Sequence, residues 1–234
     1  MYLNSNPLRK LVDFWGKHIH PSLTLLVATV GTIGLSICLI VLSLLAWLFS
    51  EVLEREAFGF DTSSLLWLHQ FANPFLDSVM LTITQLGDPI VAGGVVLVSL
   101  VLLWWQHYRL EAKIFAIANL GGAILNTGLK LTFSKPRPHL WTQLIAETSF
   151  SFPSGHALGS VVLYGFIAYL LVNRYAQFAK PIYLCVTILI SMITFSRLYL
   201  GVHWPTDVIA GCGIGFLWLI VCITMLRLQK LKPF

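Results

Sequence analysis

Three short polar segments interrupt an otherwise apolar chain, and each carries side chains able to handle a phosphate group. The first, "GLKLTFSKPRP", holds Lys130 and, seven residues on, Arg137. Proline fixes its own φ and restricts the residue before it, so Pro136 and Pro138 are expected to keep the backbone around Arg137 extended and to present its guanidinium from a stiff stalk. The second is "SFPSGHALGS", with Ser154 where a helix N-cap is expected after Pro153. A helix start offers unpaired N–H groups and a partial positive charge, which together favour an anion. Gly155 lets that anion approach the backbone closely, and His156 stands in the first turn. The third, "SRLYLGVHWPTDV", holds Ser196, Arg197, His203 and Asp207. Histidine and aspartate four apart can share one helical face. A carboxylate on one imidazole nitrogen fixes the tautomer and leaves the other nitrogen free to attack.

Taken singly, each feature has a plainer reading. Ser154 can be a simple cap, and Asp207 can favour the dipole at a helix start. Lys130 and Arg197 can be snorkelling anchors at span ends, the class to which Lys135 is assigned. His18, His20, His69, His107 and His139 are taken as polar tips, and Asp88 and Glu147 as structural because no partner is evident. Together the three segments offer Lys130, Arg137 and Arg197 as cations beside two histidines. Fixed charges away from bulk water are costly unless countered, and a phosphate or pyrophosphate ester supplies the counter-charge. No cluster of carboxylates offers a metal site, so neither metal nor cofactor is expected.

The elements that must position these residues follow from composition. Of 234 residues, 57% are hydrophobic and 11% charged, and the mean hydropathy is +0.80. Soluble domains carry about 25% charged residues, so the chain is expected to be an integral membrane protein. A helical span takes about 20 apolar residues. Six such runs are expected, at about 23–49, 89–106, 114–133, 155–173, 181–199 and 205–226, giving an all-α, single-domain, six-span bundle. The basic N-terminal flank resembles that of a signal sequence, but the following run is too long and has no small-residue cleavage site, so it is read as a retained span. Cys38, Cys185, Cys212 and Cys222 lie in apolar runs without a C-x-x-C pair and are expected to be packing residues. Gly211 and Gly215 form a G-x-x-x-G suited to helix packing.

Between the first two spans, "DTSS" is a helix-start signal before Leu65, Leu66, Leu68 and Phe71. Residues 75–86 form a further apolar stretch, cut from the second span by Gly87, Asp88 and Pro89. Joined to that span it would make a helix of roughly 48 Å, longer than the hydrocarbon core is thick, so it is expected to lie along or partly in the outer leaflet.

With both termini cytoplasmic, ten of the fifteen Lys and Arg residues fall on the cytoplasmic side: Arg9, Lys10, Lys17, Arg109, Lys113, Arg174, Lys180, Arg227, Lys230 and Lys232. The others are Arg55, Lys130, Lys135, Arg137 and Arg197. The alternation of spans then puts all three polar segments at the outer or periplasmic face of the plasma membrane. The net charge of +5 suits an anionic inner leaflet. No basic cluster interleaved with aromatics suggests nucleic-acid binding. Trp47, Trp67, Trp104, Trp105, Trp141 and Trp204 fall near the expected interfaces.

The three segments together read K-x-x-x-x-x-x-R-P from Lys130 to Pro138, P-S-G-H from Pro153 to His156, and S-R-x-x-x-x-x-H-x-x-x-D from Ser196 to Asp207. This resembles the type 2 phosphatidic acid phosphatase superfamily, which includes bacterial phosphatidylglycerophosphate and undecaprenyl-pyrophosphate phosphatases. The resemblance implies that His203 is the nucleophile that takes the phosphoryl group and that Asp207 orients it. It further implies that His156 protonates the leaving oxygen and later helps activate water, with Lys130, Arg137, Ser154, Gly155 and Arg197 on the phosphate oxygens. The expected activity is metal-independent hydrolysis of a phosphorylated lipid through a phosphohistidine. A haloperoxidase-like vanadate site belongs to the same pattern, but those relatives are soluble. A non-catalytic phospholipid-binding or transport protein is the alternative, disfavoured because binding alone needs no paired His203 and Asp207.

Overall fold

The computed structural model describes residues 30–53 and 59–231, whose regular structure is helical, with no strand among them. The helices are α1 (Thr32–Leu53), α2 (Gly59–His69), α3 (Pro74–Gln85), α4 (Pro89–Trp105), α5 (Arg109–Phe133), α6 (Gly155–Arg174), α7 (Ala179–Tyr199) and α8 (Pro205–Leu231). Five of them are long and apolar enough to cross a membrane, and α3 joined with α4 makes a sixth candidate. Their outward faces carry Ile33, Leu39, Ile90, Leu97 and Trp105, all more than half exposed, a surface suited to lipid rather than water.

Local chemistry fixes where the helices begin. Asn73 and Asp88 cap α3 and α4 by accepting from the N–H groups of Leu76 (3.0 Å) and Ile90 (3.2 Å), each followed by proline at the first helical position. The residues between these helices bend them by 42°. The stretch at 75–86 is thus a separate helix, as expected. It packs against α7 rather than standing apart from the bundle. At "DTSS" the expectation needs correction: α2 begins at Gly59, so Asp61 lies in its first turn, and its carboxylate points across the bundle instead of capping its own helix. The first span is described only from residue 30, and its helix runs to Leu53, four residues beyond the expected end. The last helix likewise extends to Leu231.

The core lies between α1, α5, α6 and α8, built on Phe115, Leu158, Val162, Phe166, Ile214 and Cys222. In a bilayer such packing is held by close van der Waals contact, which small residues permit. A Cβ on Gly211 would lie 2.6 Å from the Ser154 carbonyl oxygen, and one on Gly215 2.8 Å from that of Leu158. The G-x-x-x-G therefore seats α8 against α6. Phe49 of α1 and Phe133 of α5 meet the buried Phe152 at centroid distances of 5.8 and 4.9 Å, wedging the segment that leads into α6. Cys222 packs in the core as expected of an apolar cysteine, whereas Cys185 is exposed on α7.

Candidate active site

The ends of α5 and α7 and the starts of α4, α6 and α8 meet at one end of the bundle, where residues 134–154 form a long loop across them. That loop is tied down at several points. The Gln143 amide donates to the carbonyls of Pro138 (2.7 Å) and Gly201 (2.6 Å), and the Trp204 indole donates to the Pro136 carbonyl (3.0 Å). Gly201 makes the turn after α7 with φ +67°, and a Cβ there would lie 2.4 Å from Trp141.

Ser154 caps α6 as expected: its hydroxyl accepts from the Ala157 N–H (3.4 Å), and its own N–H donates to the Asp207 carbonyl (3.0 Å). The two helix starts bearing the P-S-G-H and H-x-x-x-D segments are thereby hydrogen-bonded to each other. Ser154 is fully buried. A Cβ on Gly155 would come 3.0 Å from the Asn126 amide, a close approach that favours glycine.

His203 and Asp207 are paired, with Nδ1 3.4 Å from the carboxylate, but not by sharing a helical face. His203 lies in the turn before α8, and the carboxylate of Asp207 reaches back toward it. The same oxygen accepts from the Trp204 N–H (2.9 Å), half of a capping box, and from the Ser151 hydroxyl in a very short contact. With Nδ1 toward Asp207, the tautomer leaves Nε2 as acceptor, and the Arg137 guanidinium lies 3.3 Å from it. Arg137 is further held by the carbonyls of Ser149 (2.7 Å) and Val202 (2.6 Å).

A cavity of about 600 Å³ opens from this cup, lined at its polar end by Lys130, Arg137, Glu147, His156 and His203. It continues between α4, α5 and α6 past Ala92, Gly93, Val96 and Leu163. His156 is buried with its Nε2 unpartnered, and a Cβ on Gly87 would strike its ring at 2.7 Å. Lys130 donates to the Ser149 hydroxyl (3.3 Å) and the Phe150 carbonyl. All the residues singled out in the sequence thus converge on one end of the bundle. Lys130, Arg137, Gly155, His156 and His203 line the cavity, and Ser154, Arg197 and Asp207 stand buried behind its wall.

Several partnerships were not foreseen. Glu147, taken as unpartnered, pairs with Arg137 (3.4 Å) and, very closely, with Arg197. Arg197 is no snorkelling anchor: it is 1% exposed, donates to the Thr84 hydroxyl (2.8 Å), and keeps a buried Nε without a partner. Lys135 is likewise no surface anchor but turns inward to Asp207 (2.9 Å), Thr206 (2.9 Å) and Asp61 (3.5 Å). One signal was available for the two acids. The chain has only ten carboxylate residues, and an ionisable group within an apolar bundle is by default a functional candidate.

Electrostatics follow from this burial. Burial is the main influence that pushes the His203 imidazole down to about 4. Asp207 opposes it without prevailing, and Arg137 and Arg197 push the same way as burial. Burial alone would raise the Glu147 carboxyl, but Arg197 and Arg137 outweigh it and hold the group below its ordinary value. Asp61 is raised by burial, against the opposing bonds from Thr206 and the charge of Lys135. Among the described residues no group of three or more His, Cys, Asp or Glu side chains is placed to hold a metal ion.

The sequence model of the PAP2 superfamily matches residues 111–230. Phosphatidylglycerophosphatase B of Bacillus subtilis is 31% identical over 147 residues, covering 62% of this chain and 72% of that protein. Undecaprenyl-diphosphatase BcrC of the same organism is 31% identical over 155 residues, covering 62% of this chain and 75% of the relative. The crystal structure of a transmembrane PAP2-type phosphatidylglycerolphosphate phosphatase from Bacillus subtilis superposes with a TM-score of 0.73 at 25% identity, over 83% of this chain and 98% of that one.

Proposed function

This chain belongs to the PAP2 superfamily, and from that premise we propose that it is a membrane lipid phosphatase. It cleaves a phosphomonoester or pyrophosphate from a lipid at the outer face of the membrane. His203 Nε2 attacks phosphorus in line with the leaving oxygen, while Nδ1–H is held by Asp207. His156 donates a proton to the leaving oxygen, which departs with the lipid. A water then attacks the phosphohistidine, giving its proton to His156, and inorganic phosphate leaves. Phosphoryl transfer demands positioning and charge on the equatorial oxygens more than covalent chemistry. Arg137, Arg197, Lys130 and the N–H groups at the start of α6 supply that charge.

The observation that carries this reading is the placement of His203: Nδ1 on a buried carboxylate, Nε2 beside Arg137, and His156 on the same cavity. Glu147 pairs with both arginines, so a phosphate must compete with it for them. The apolar extension between α4, α5 and α6 suits an acyl or prenyl chain. The relatives' names make phosphatidylglycerophosphate and undecaprenyl pyrophosphate the first substrates to try. Assay of the purified protein with these, phosphatidate and lysophosphatidate in EDTA should release inorganic phosphate, and His203→Ala should abolish it. Lipid binding without phosphate release would instead support a non-catalytic lipid carrier.

A further inference from the structure

Behind the nucleophile lies a second, largely buried polar cluster outside the lipid-side cavity; Lys135 alone of its members borders a neighbouring cavity at this end, which Lys130, Arg137 and Glu147 also line. Asp61 comes from α2, which lies outside the region matched by the superfamily model. Its Oδ1 accepts from the Thr206 N–H (3.0 Å) and its Oδ2 from the Thr206 hydroxyl (2.6 Å). Lys135 Nζ lies 3.5 Å from the same Oδ2, 2.9 Å from the Thr206 hydroxyl oxygen and 2.9 Å from Asp207 Oδ1. The side chains of Asp61 and Asp207 are 4% and 0% exposed, and that of Lys135 15%.

The consequence is a division of labour between the two oxygens of Asp207. Oδ1 is engaged by Lys135, and Oδ2 receives Ser151, the Trp204 N–H and His203 Nδ1. A carboxylate bound on one oxygen only can rotate about its Cβ–Cγ bond. The lysine on the other side fixes the rotation that keeps Oδ2 toward the imidazole. Lysine is a flexible point charge, so its position has to be set by something else. Asp61 does this while also satisfying the N–H of Thr206, the second residue of α8 and one of the donors a helix start leaves open.

Resting on the reading above, we propose that Asp61, acting through Lys135 and Thr206, is a positioning residue for the phosphoryl-transfer step. It holds the Asp207 carboxylate in the rotation that aims His203 at phosphorus. Asp61 borders neither of the two cavities at this end, so its effect falls on the chemical step and not on binding.

The test is steady-state kinetics of Asp61→Asn, Lys135→Gln and Lys135→Arg in detergent, each with inorganic phosphate affinity and thermal unfolding measured on the same preparation. Asp61→Asn and Lys135→Gln should lower kcat about tenfold or more with KM and phosphate affinity within about twofold, and Lys135→Arg should recover much of the loss. Normal kcat in Asp61→Asn overturns the proposal. So does a loss that comes with weakened phosphate binding or a lowered unfolding temperature, because that is the mark of a merely structural acid. His203→Ala serves as reference. If the wild-type protein hydrolyses lipid phosphates and His203→Ala does not, the phosphatase reading stands whatever Asp61→Asn does.

Discussion

His203, the proposed nucleophile, is buried, and burial sets the pH range in which it could act. Burial pushes its imidazole down to about 4. A protonated Nε2 cannot attack, so kcat/KM should lose this nucleophile only as the pH falls toward that value, well below the ordinary ~6.5 of histidine. The profile must be corrected for the substrate, whose phosphate itself ionises near ~6. An enzyme-borne acid limb, a loss of activity as pH falls, remaining at 6–7 after that correction would contradict the assignment. The same shift has a stability consequence. Below about 6.5 the unfolded chain takes up a proton at this position that the native state refuses, so the contribution of His203 to stability declines as pH falls from there toward about 4. At this level the sequence was informative about side chains whose partners lie within one segment, such as Ser154 at its cap and His203 with Asp207. It was silent about Glu147 on Arg197 and Lys135 on Asp207, because those partners are 50 and 72 residues apart and meet only once the loop is folded back.

Helix starts and ends are the devices that bring the chemistry together, and the contact between α6 and α8 matters most. Gly211 faces the Ser154 carbonyl and Ala157, so Gly211→Ala inserts a methyl at 2.6 Å from backbone that cannot yield. Overpacking of this kind costs about 1–3 kcal/mol. Gly211→Ala should therefore lower the unfolding temperature in detergent and reduce phosphatase activity together. Gly128→Ala, at a position in α5 with open space around it, should do neither. Equal behaviour of the two variants would show that this seam does not set the site. Proline and cap signals placed the starts of α4, α6 and α8 correctly from sequence, since those signals are local. The early start of α2 and the inward direction of Asp61 were not legible. A D-T-S-S run has the same local appearance whether its acid caps its own helix or reaches across to Thr206.

The whole bundle separates two kinds of basic residue. At the end opposite the site lie Arg109, Arg174 and Lys230, near the start of α5 and the ends of α6 and α8. The lysines and arginines of the site end are engaged inward, on Glu147, Asp207 and backbone carbonyls. Among the described residues the first group lies exposed at helix ends, where it can face an anionic leaflet, and the proposed orientation accordingly has a cytoplasmic opposite end and an outward-facing site. A cysteine introduced at His139, exposed beside the site, should react with a membrane-impermeant thiol reagent on intact spheroplasts. One introduced at Lys180, exposed at the start of α7, should react only after permeabilisation. The reverse pattern would invert the orientation. The span count could be read from composition because hydrocarbon thickness imposes it. The 42° bend that lets α3 pack on α7 and place Thr84 against Arg197 depends on tertiary contacts that no periodicity records.

The most direct measurement is to trap the phosphorylated protein. Mixing it with a lipid substrate labelled in the scissile phosphate, quenching in alkali within the first turnover and mapping the label should find an alkali-stable, acid-labile phosphate on His203, and none in His203→Ala. Label on another residue, or undiminished turnover by His203→Ala, would contradict a cup built to aim that imidazole at phosphorus.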